Sequence, residues 1–427
     1  MTQELITECF NVFDPQEALP PHDPRYVEFS EARGSVGLFE GIAHTIRRAR
    51  GHTCQLLSGH RGCGKTTELF RLKESLLTQE PRHFVVYCEA NQYIDLNDVE
   101  FTDVLLAVVQ QLWTDAHEKG IDLEPGRLGN FVDEVKGILT APVSPKEISF
   151  GAGIAKLGFE IKTNPNNRQL VRAHLRPRAT NLLEAVNEVL DTATSKVEAK
   201  GYSGIVVIVD NLDRIFRNPI PNTDRNSQDA LFVDASSYLR GLSCDLIYTV
   251  PPALLYSTSG PKLPHLYGNV PRMLPMVPVN TRDGSVNEAG IRKLMEVVER
   301  RLRSVNATFG VAFDSEVTIK RVCSASGGYA RGLMTLVRGA TNYVDDLPIT
   351  SEAVEQAIRD TRNGYVASIL TSKRWQVLRD IAENKLISES EDYLQLLENF
   401  AVLEYRDNDG PWHQVNPIIR EAREFTQ

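Results

Sequence analysis

Five short apolar runs rich in β-branched residues punctuate the first 280 positions: TCQLLSG at 53–59, HFVVYCEA at 83–90, GIVVIVD at 204–210, DLIYTV at 245–250 and MLPMVPV at 273–279. Their apolar character is continuous and does not alternate, which marks strands buried on both faces and so a mostly parallel sheet. Helical patterns lie between them, as in TTELFRLKESLL after the first run and DVLLAVVQQLWTDA after the second. The predicted class is α/β, a parallel sheet sandwiched by helices. Between about 120 and 200 the pattern changes. A polar stretch marked by Gly and Pro precedes EISFGAGIAKLGFEIKT, which alternates like a hairpin, and the long helical candidate RATNLLEAVNEVLDTATSKVEA follows. This segment reads as an insertion in the sheet domain.

After residue 285 the strands stop, and EAGIRKLMEVVERRL, SEVTIKRVCSA, ARGLMTLVRGATNYV and SEAVEQAIRDT predict four helices of a small α-domain. In the last 60 residues WQVLRDIAEN and DYLQLLENF read as helices, VLEYRDNDGPWHQV as two strands around a DNDG turn, and NPIIREAREF as a closing helix. Helices followed by a hairpin at this size predict a winged helix.

Composition narrows the picture. With 427 residues, 42% of them apolar, the chain can bury several cores, so disorder is excluded. A net charge of -9 disfavours coating of nucleic acid by charge alone. The six cysteines are scattered without a CxxC or Cys/His cluster, the usage of a reducing cytosol, and neither zinc nor a disulfide framework is expected. The amino terminus lacks a basic flank with an apolar core, and no segment approaches the roughly 18 apolar residues of a membrane span, so a cytoplasmic protein is expected. Tandem repeats are not visible.

GHRGCGKT fits G-x-x-x-x-G-K-[ST] at the end of an apolar run and the start of a helical one, where a phosphate-binding loop must sit. Across Gly59, His60, Arg61, Gly62, Cys63 and Gly64, backbone N–H groups turn inward around phosphates. Lys65 reaches the outer phosphate oxygens, Thr66 offers a hydroxyl to Mg2+, and Thr67 follows on the helix. GIVVIVDNLDR places Asp210 at the carboxyl edge of a central strand, opposite Thr66, where it would hold the metal; the alternative is a turn-capping Asp. Asn211 stands where ATPases of this type often carry the carboxylate that polarises water. Either Asp213, three residues past Asp210, orients that water or hydrolysis is slow. Thr249 ends the DLIYTV run as a γ-phosphate-sensing hydroxyl or as a turn cap. Arg331, in GGYARGLMTLV, opposes the dipole at a helix start, which suggests a specific acidic partner unless it is solvated.

These motifs together resemble the AAA+ ATPases, and within them the initiator-like and STAND signalling branches. The resemblance implies a lead-in at 1–50 and a P-loop core at 51–285 with the insertion near 120–200. It further implies a helical lid at 286–365 and a winged helix at 366–427. It makes Arg331 the lid arginine that contacts the γ-phosphate, and Arg272, in YGNVPRMLPMV, an arginine acting on a neighbouring subunit's nucleotide. Tyr26 and Arg33, in DPRYVEFSEARG, match the lead-in over adenine. In VNPIIREA, Asn416 takes the place of an ADP-contacting His, although Asn416 as helix N-cap with Pro417 at the first helical position fits equally.

The function this implies is an ATP- and Mg2+-dependent, slowly hydrolysing switch. It would assemble as a homo-oligomer with a sensor or effector supplied by another chain, as in bacterial defence loci. The alternative is a DNA-dependent initiator- or transposition-type ATPase reading duplex through its winged helix. Charge opposes that alternative, since from Thr371 onward seven Lys or Arg face eleven Asp or Glu, and SEDYLQLLENF carries no basic residue.

Overall fold

The five apolar runs build one sheet. The computed structural model describes residues 2–139, 150–223, 225–369, 371–385 and 390–426. Strands β1 (Cys54–Ser58), β2 (Phe84–Glu89), β3 (Ile205–Asp210), β4 (Asp245–Val250) and β5 (Arg272–Met273) pair in the order β2-β3-β4-β1-β5, all parallel. Every residue of β1, β3 and β4 is buried, the polar Gln55, Ser58 and Thr249 included, as strands covered on both faces require. On one face Leu57, Val206, Ile208 and Ile247 pack against Ile42 of the helix Leu38–Arg48 and Leu69 and Leu72 of the helix Lys65–Thr78. On the other, Leu56, Val207 and Leu246 meet the helices Phe101–Glu118 and Ala179–Glu198. Each Leu or Ile fully buried here contributes about 2 kcal/mol. The β1–β4–β3 register brings Ser58, Val250 and Asp210 to the same sheet edge, which is where the site forms.

Two expectations about the sheet domain are corrected. The fifth strand is two residues long, not seven, because Pro275 and Pro278 cannot donate to a ladder. Beyond β5 the chain becomes a strap whose N–H groups serve three units: Leu274 bonds Ser58 O at 2.9 Å, Met276 bonds Glu404 O at 2.9 Å and Val277 bonds Gly328 O at 3.4 Å. Gly328, at φ 73, lies so close that a Cβ there would stand 1.6 Å from Val277 O. The expected hairpin in the insertion is instead a helix, Phe150–Thr163, while its first residues, 147–149, lie outside the described residues. Ile154, Leu157 and Ile161 recur at helical spacing and are buried, and Gly151 and Gly158 let the helix approach Trp113 and Gln110. Packing on the helix Phe101–Glu118 thus overrides a short-range alternation. The insertion continues through helices Pro165–Leu175, capped by Asn164, and Ala179–Glu198.

Helices Glu288–Ser304, Glu316–Ala325, Ala330–Ala340 and Ser351–Ser368 enclose a separate core built on Leu294, Val298, Val322, Leu333 and Val354. The C-terminal unit comprises helices Ser372–Asn384 and Glu391–Glu398, then the antiparallel hairpin of β6 (Val402–Asp407) and β7 (Gly410–Val415). The expected closing helix is broken into Pro417–Arg420 and Arg423–Thr426. Among the described residues no helix is long and apolar enough to cross a membrane.

Candidate functional site

The loop after β1 is shaped by two left-handed glycines, Gly62 at φ 77 and Gly64 at φ 104. A Cβ on Gly62 would come within 2.6 Å of the Arg331 Cβ, so the small residue also admits the four-helix unit. Lys65 opens the helix and is 4% exposed; its Nζ donates to Gly59 O at 2.6 Å and His60 O at 3.0 Å, and lies 3.0 Å from Asp213 Oδ2. Burial disfavours the ammonium, yet Asp213 outweighs it and holds the pKa above its ordinary value.

Thr66 Oγ1 donates to Asp210 Oδ2 at 2.7 Å, and Tyr87 Oη reaches the same oxygen at 2.8 Å. Asp210 Oδ1 accepts from the Asn211 N–H at 2.7 Å. Burial and the nearby Asp213 raise the Asp210 pKa, against the pull of these three donors. Asn211 takes φ 70 and donates from Nδ2 to Asn91 Oδ1 at 2.8 Å. Among the described residues no group of three His, Cys, Asp or Glu could hold a metal unaided. One carboxylate beside one hydroxyl is a donor set that suits Mg2+ completed by phosphate oxygens.

Lys65, Thr66, Asn91, Asp210, Asn211 and Asp213 line a cavity of about 380 Å³. One end of it carries Arg61, Gly62, Cys63, Gly64, Lys65 and Thr66 with Asp210 and Asp213, and Thr67 lies alongside. The amino-terminal segment closes over it: Leu19 N donates to Thr67 Oγ1 at 3.2 Å, and Tyr26 donates to Glu28 and Glu68. Arg33, 2% exposed, donates to Cys63 O at 2.7 Å. From the four-helix unit, Arg331 sets its N–H on Gly62 O at 3.2 Å and its Nε on Pro15 O at 3.0 Å. Arg61 donates to Arg214 O and lies over the Phe216 ring.

Five candidate residues lie outside the cavity lining. Gly59 and His60 sit behind the loop. Thr249 is fully buried, accepts from Leu212 N at 3.1 Å and donates to Val209 O at 3.4 Å, so it braces the turn after Asp210 from below. Arg272 packs on Gly41, donates to Leu38 O at 3.4 Å and is not among the cavity's lining residues. Asn416 is buried, donating to Phe400 O and accepting from Ile418 N, and caps the helix at Pro417.

Sequence reasoning missed Tyr87, Asn91 and Arg301 in this region. Tyr87 was discoverable from its place near the end of the strand beside β3, whereas Arg301 looks like any charged residue of an amphipathic helix. It also missed the link behind the loop. His60 Nε2 accepts from the Glu404 N–H of β6 at 3.2 Å, joining the glycine-rich loop after β1 to the C-terminal hairpin. Burial first, then His413 and Lys65, push the His60 pKa down to about 3, so the ring is a neutral acceptor.

No protein-family model matches the chain, and no curated protein matches it. Among solved structures, the Aeropyrum pernix Orc2 protein, in ADPNP–ADP complexes, aligns over 97% of this chain and 96% of its own at 13% identity and TM-score 0.48. Cdc6p from Pyrobaculum aerophilum aligns over 97% and 96% at 13% identity and TM-score 0.40. The Aeropyrum pernix Orc1 protein in complex with DNA aligns over 98% and 97% at 13% identity and TM-score 0.40.

Proposed function

We propose that this chain is a nucleotide-operated switch that binds Mg-ATP in the cavity, hydrolyses it slowly, and uses nucleotide state to position its C-terminal unit and so control self-assembly. His60 carries this reading. Its carbonyl accepts from the phosphate-loop Lys65, and its ring accepts from Glu404 in the hairpin, so one residue ties the lysine that must turn toward phosphates to the unit that would move. Lys65 engaging phosphate gives up its bond to His60 O and its pairing with Asp213. Asp213 is then free to orient water, the role the sequence suggests in place of Asn211, and Arg331 at the loop edge can meet the outer phosphate.

Docking of the C-terminal unit favours a switch over a duplex reader. The helix Glu391–Glu398, which would enter a major groove, shares a core with Ala253 through Leu394 and Leu397. Its acids are also engaged: Glu391 pairs with Arg217 at 3.1 Å and Glu398 accepts from Gln228 at 2.7 Å. The test is the mass of the full chain in solution with ADP and with a non-hydrolysable ATP analogue, alongside ATP turnover. A nucleotide-dependent change of mass, lost in Lys65→Ala, supports the switch. Constant mass together with tight, salt-sensitive duplex binding reverses it.

A further inference from the structure

The cavity extends beyond the glycine-loop end, and a cation there makes no side-chain hydrogen bond or ion pair among the described residues. Arg331 meets Gly62 at the start of its helix, so Met334, nearly one turn further on, already stands away from the loop. There Met334 joins Val27, Phe29 and Val297 as apolar walls. Arg301 lies one turn past Val297 on the helix Glu288–Ser304 and also lines the cavity. It is 7% exposed, its Nε is buried without a hydrogen bond, and no carboxylate among the described residues pairs with it.

The acids nearest to it are committed elsewhere. Glu17 and Asp23 grip Arg25 at 2.6 and 2.7 Å. Arg300, its neighbour, is satisfied by Glu296 and the Tyr26 carbonyl. Burial and the charge of Arg25 push Arg301 down to about 10, so it stays charged at neutral pH. A buried guanidinium without an acceptor is costly to keep, and apolar walls around one fixed polar group are how a site holds a flat ring by its faces and reads it at its edge.

We infer that Arg301 is the base-recognising residue of this cavity, donating to an acceptor nitrogen of a purine ring. The inference rests on the nucleotide reading above. A guanidinium offers donors only, so what it requires is an acceptor, and a purine presents ring nitrogens N1, N3 and N7. Its neighbours in charge are Arg25, Glu17 and Asp23 of the amino-terminal segment and none from the phosphate loop, which sets it apart from Lys65, Arg61 and Arg331.

The experiment is calorimetric titration of the full chain with Mg-ATP and with its 1-deaza, 3-deaza and 7-deaza analogues, on wild type, Arg301→Met and Lys65→Ala. One analogue should bind wild type about tenfold more weakly than ATP, and Arg301→Met should lose about tenfold for ATP while no longer distinguishing that analogue. The melting temperature of nucleotide-free Arg301→Met should equal or exceed that of wild type, because Met keeps the stem and removes an unpaired charge. Unchanged ATP affinity in Arg301→Met, a loss spread equally over ATP and all three analogues, or a lowered nucleotide-free melting temperature with such an equal loss overturns the assignment. In each of those cases tight ATP binding by wild type that fails in Lys65→Ala leaves the nucleotide reading standing; absence of ATP binding by wild type removes that reading and the inference with it.

Discussion

Acidification should release the C-terminal hairpin from the phosphate loop through His60. In the folded chain its pKa is pushed down to about 3, against an ordinary value of 6.5 in the unfolded chain. The stabilising difference is therefore complete above 6.5 and is lost as pH falls toward 3. At about pH 5 the unfolded chain holds a proton that the folded chain refuses across about 1.5 pH units, a penalty of about 2 kcal/mol. Protonation also removes the Nε2 acceptor for the Glu404 N–H, while His413 and Lys65 add repulsion, so opening at this joint is the way to relieve the penalty. The assay is urea unfolding, followed by circular dichroism, at about pH 7.5 and about pH 5 for wild type and His60→Gln, which can accept the same bond without titrating. Wild type should lose about 2 kcal/mol more than His60→Gln over that interval. Equal losses in the two proteins would refute the reasoning, since other titrating groups would then account for all of the pH dependence.

Lys65→Ala should lower ATP affinity at least about tenfold, read by calorimetry, because it removes the cation at the outer phosphates. Asp213→Asn should cut turnover about a hundredfold while ATP still binds. Without nucleotide the same variant should melt lower, since it strips the charged partner from buried Lys65, and saturating Mg-ATP should narrow that gap. Asp210→Asn should erase the difference between ATP affinities measured with Mg2+ and with EDTA; an undiminished Mg2+ effect would move the metal elsewhere. Duplex binding by the full chain should be weak at low salt and should strengthen when Glu391→Ala and Glu398→Ala together loosen the docked helix; tight binding by wild type would contradict the docked arrangement.

What the sequence made legible was whatever local chemistry determines. The strands before Gly59 and at Asp210 are continuous apolar runs, and the loop motif needs its glycines and Lys65 at fixed spacing, so both could be read directly. The insertion misled because FGAGIAKLGFEIKT alternates over a few residues, and only the neighbouring helix, with Trp113 and Gln110 against its glycines, decides for helical spacing. The fifth strand was over-read because two prolines count as apolar in a run yet cannot donate. His60 and Glu404 are 344 positions apart, and Arg301 meets the cavity from a different unit, so no local pattern could join them to the site. Asn416 shows the converse: its capping role is purely local and was available from the Asn-Pro pair itself.

Hydrogen exchange at the Glu404 amide tests the central claim most directly, because that N–H is the hairpin's bond to the phosphate loop. If nucleotide state positions the C-terminal unit through His60, the amide should stay protected with ADP and exchange at least about tenfold faster with a non-hydrolysable ATP analogue, an opening-energy change of about 1.4 kcal/mol or more. Lys65→Ala should abolish the difference. Equal protection of Glu404 in both nucleotide states, with both nucleotides shown to be bound, would contradict the switch.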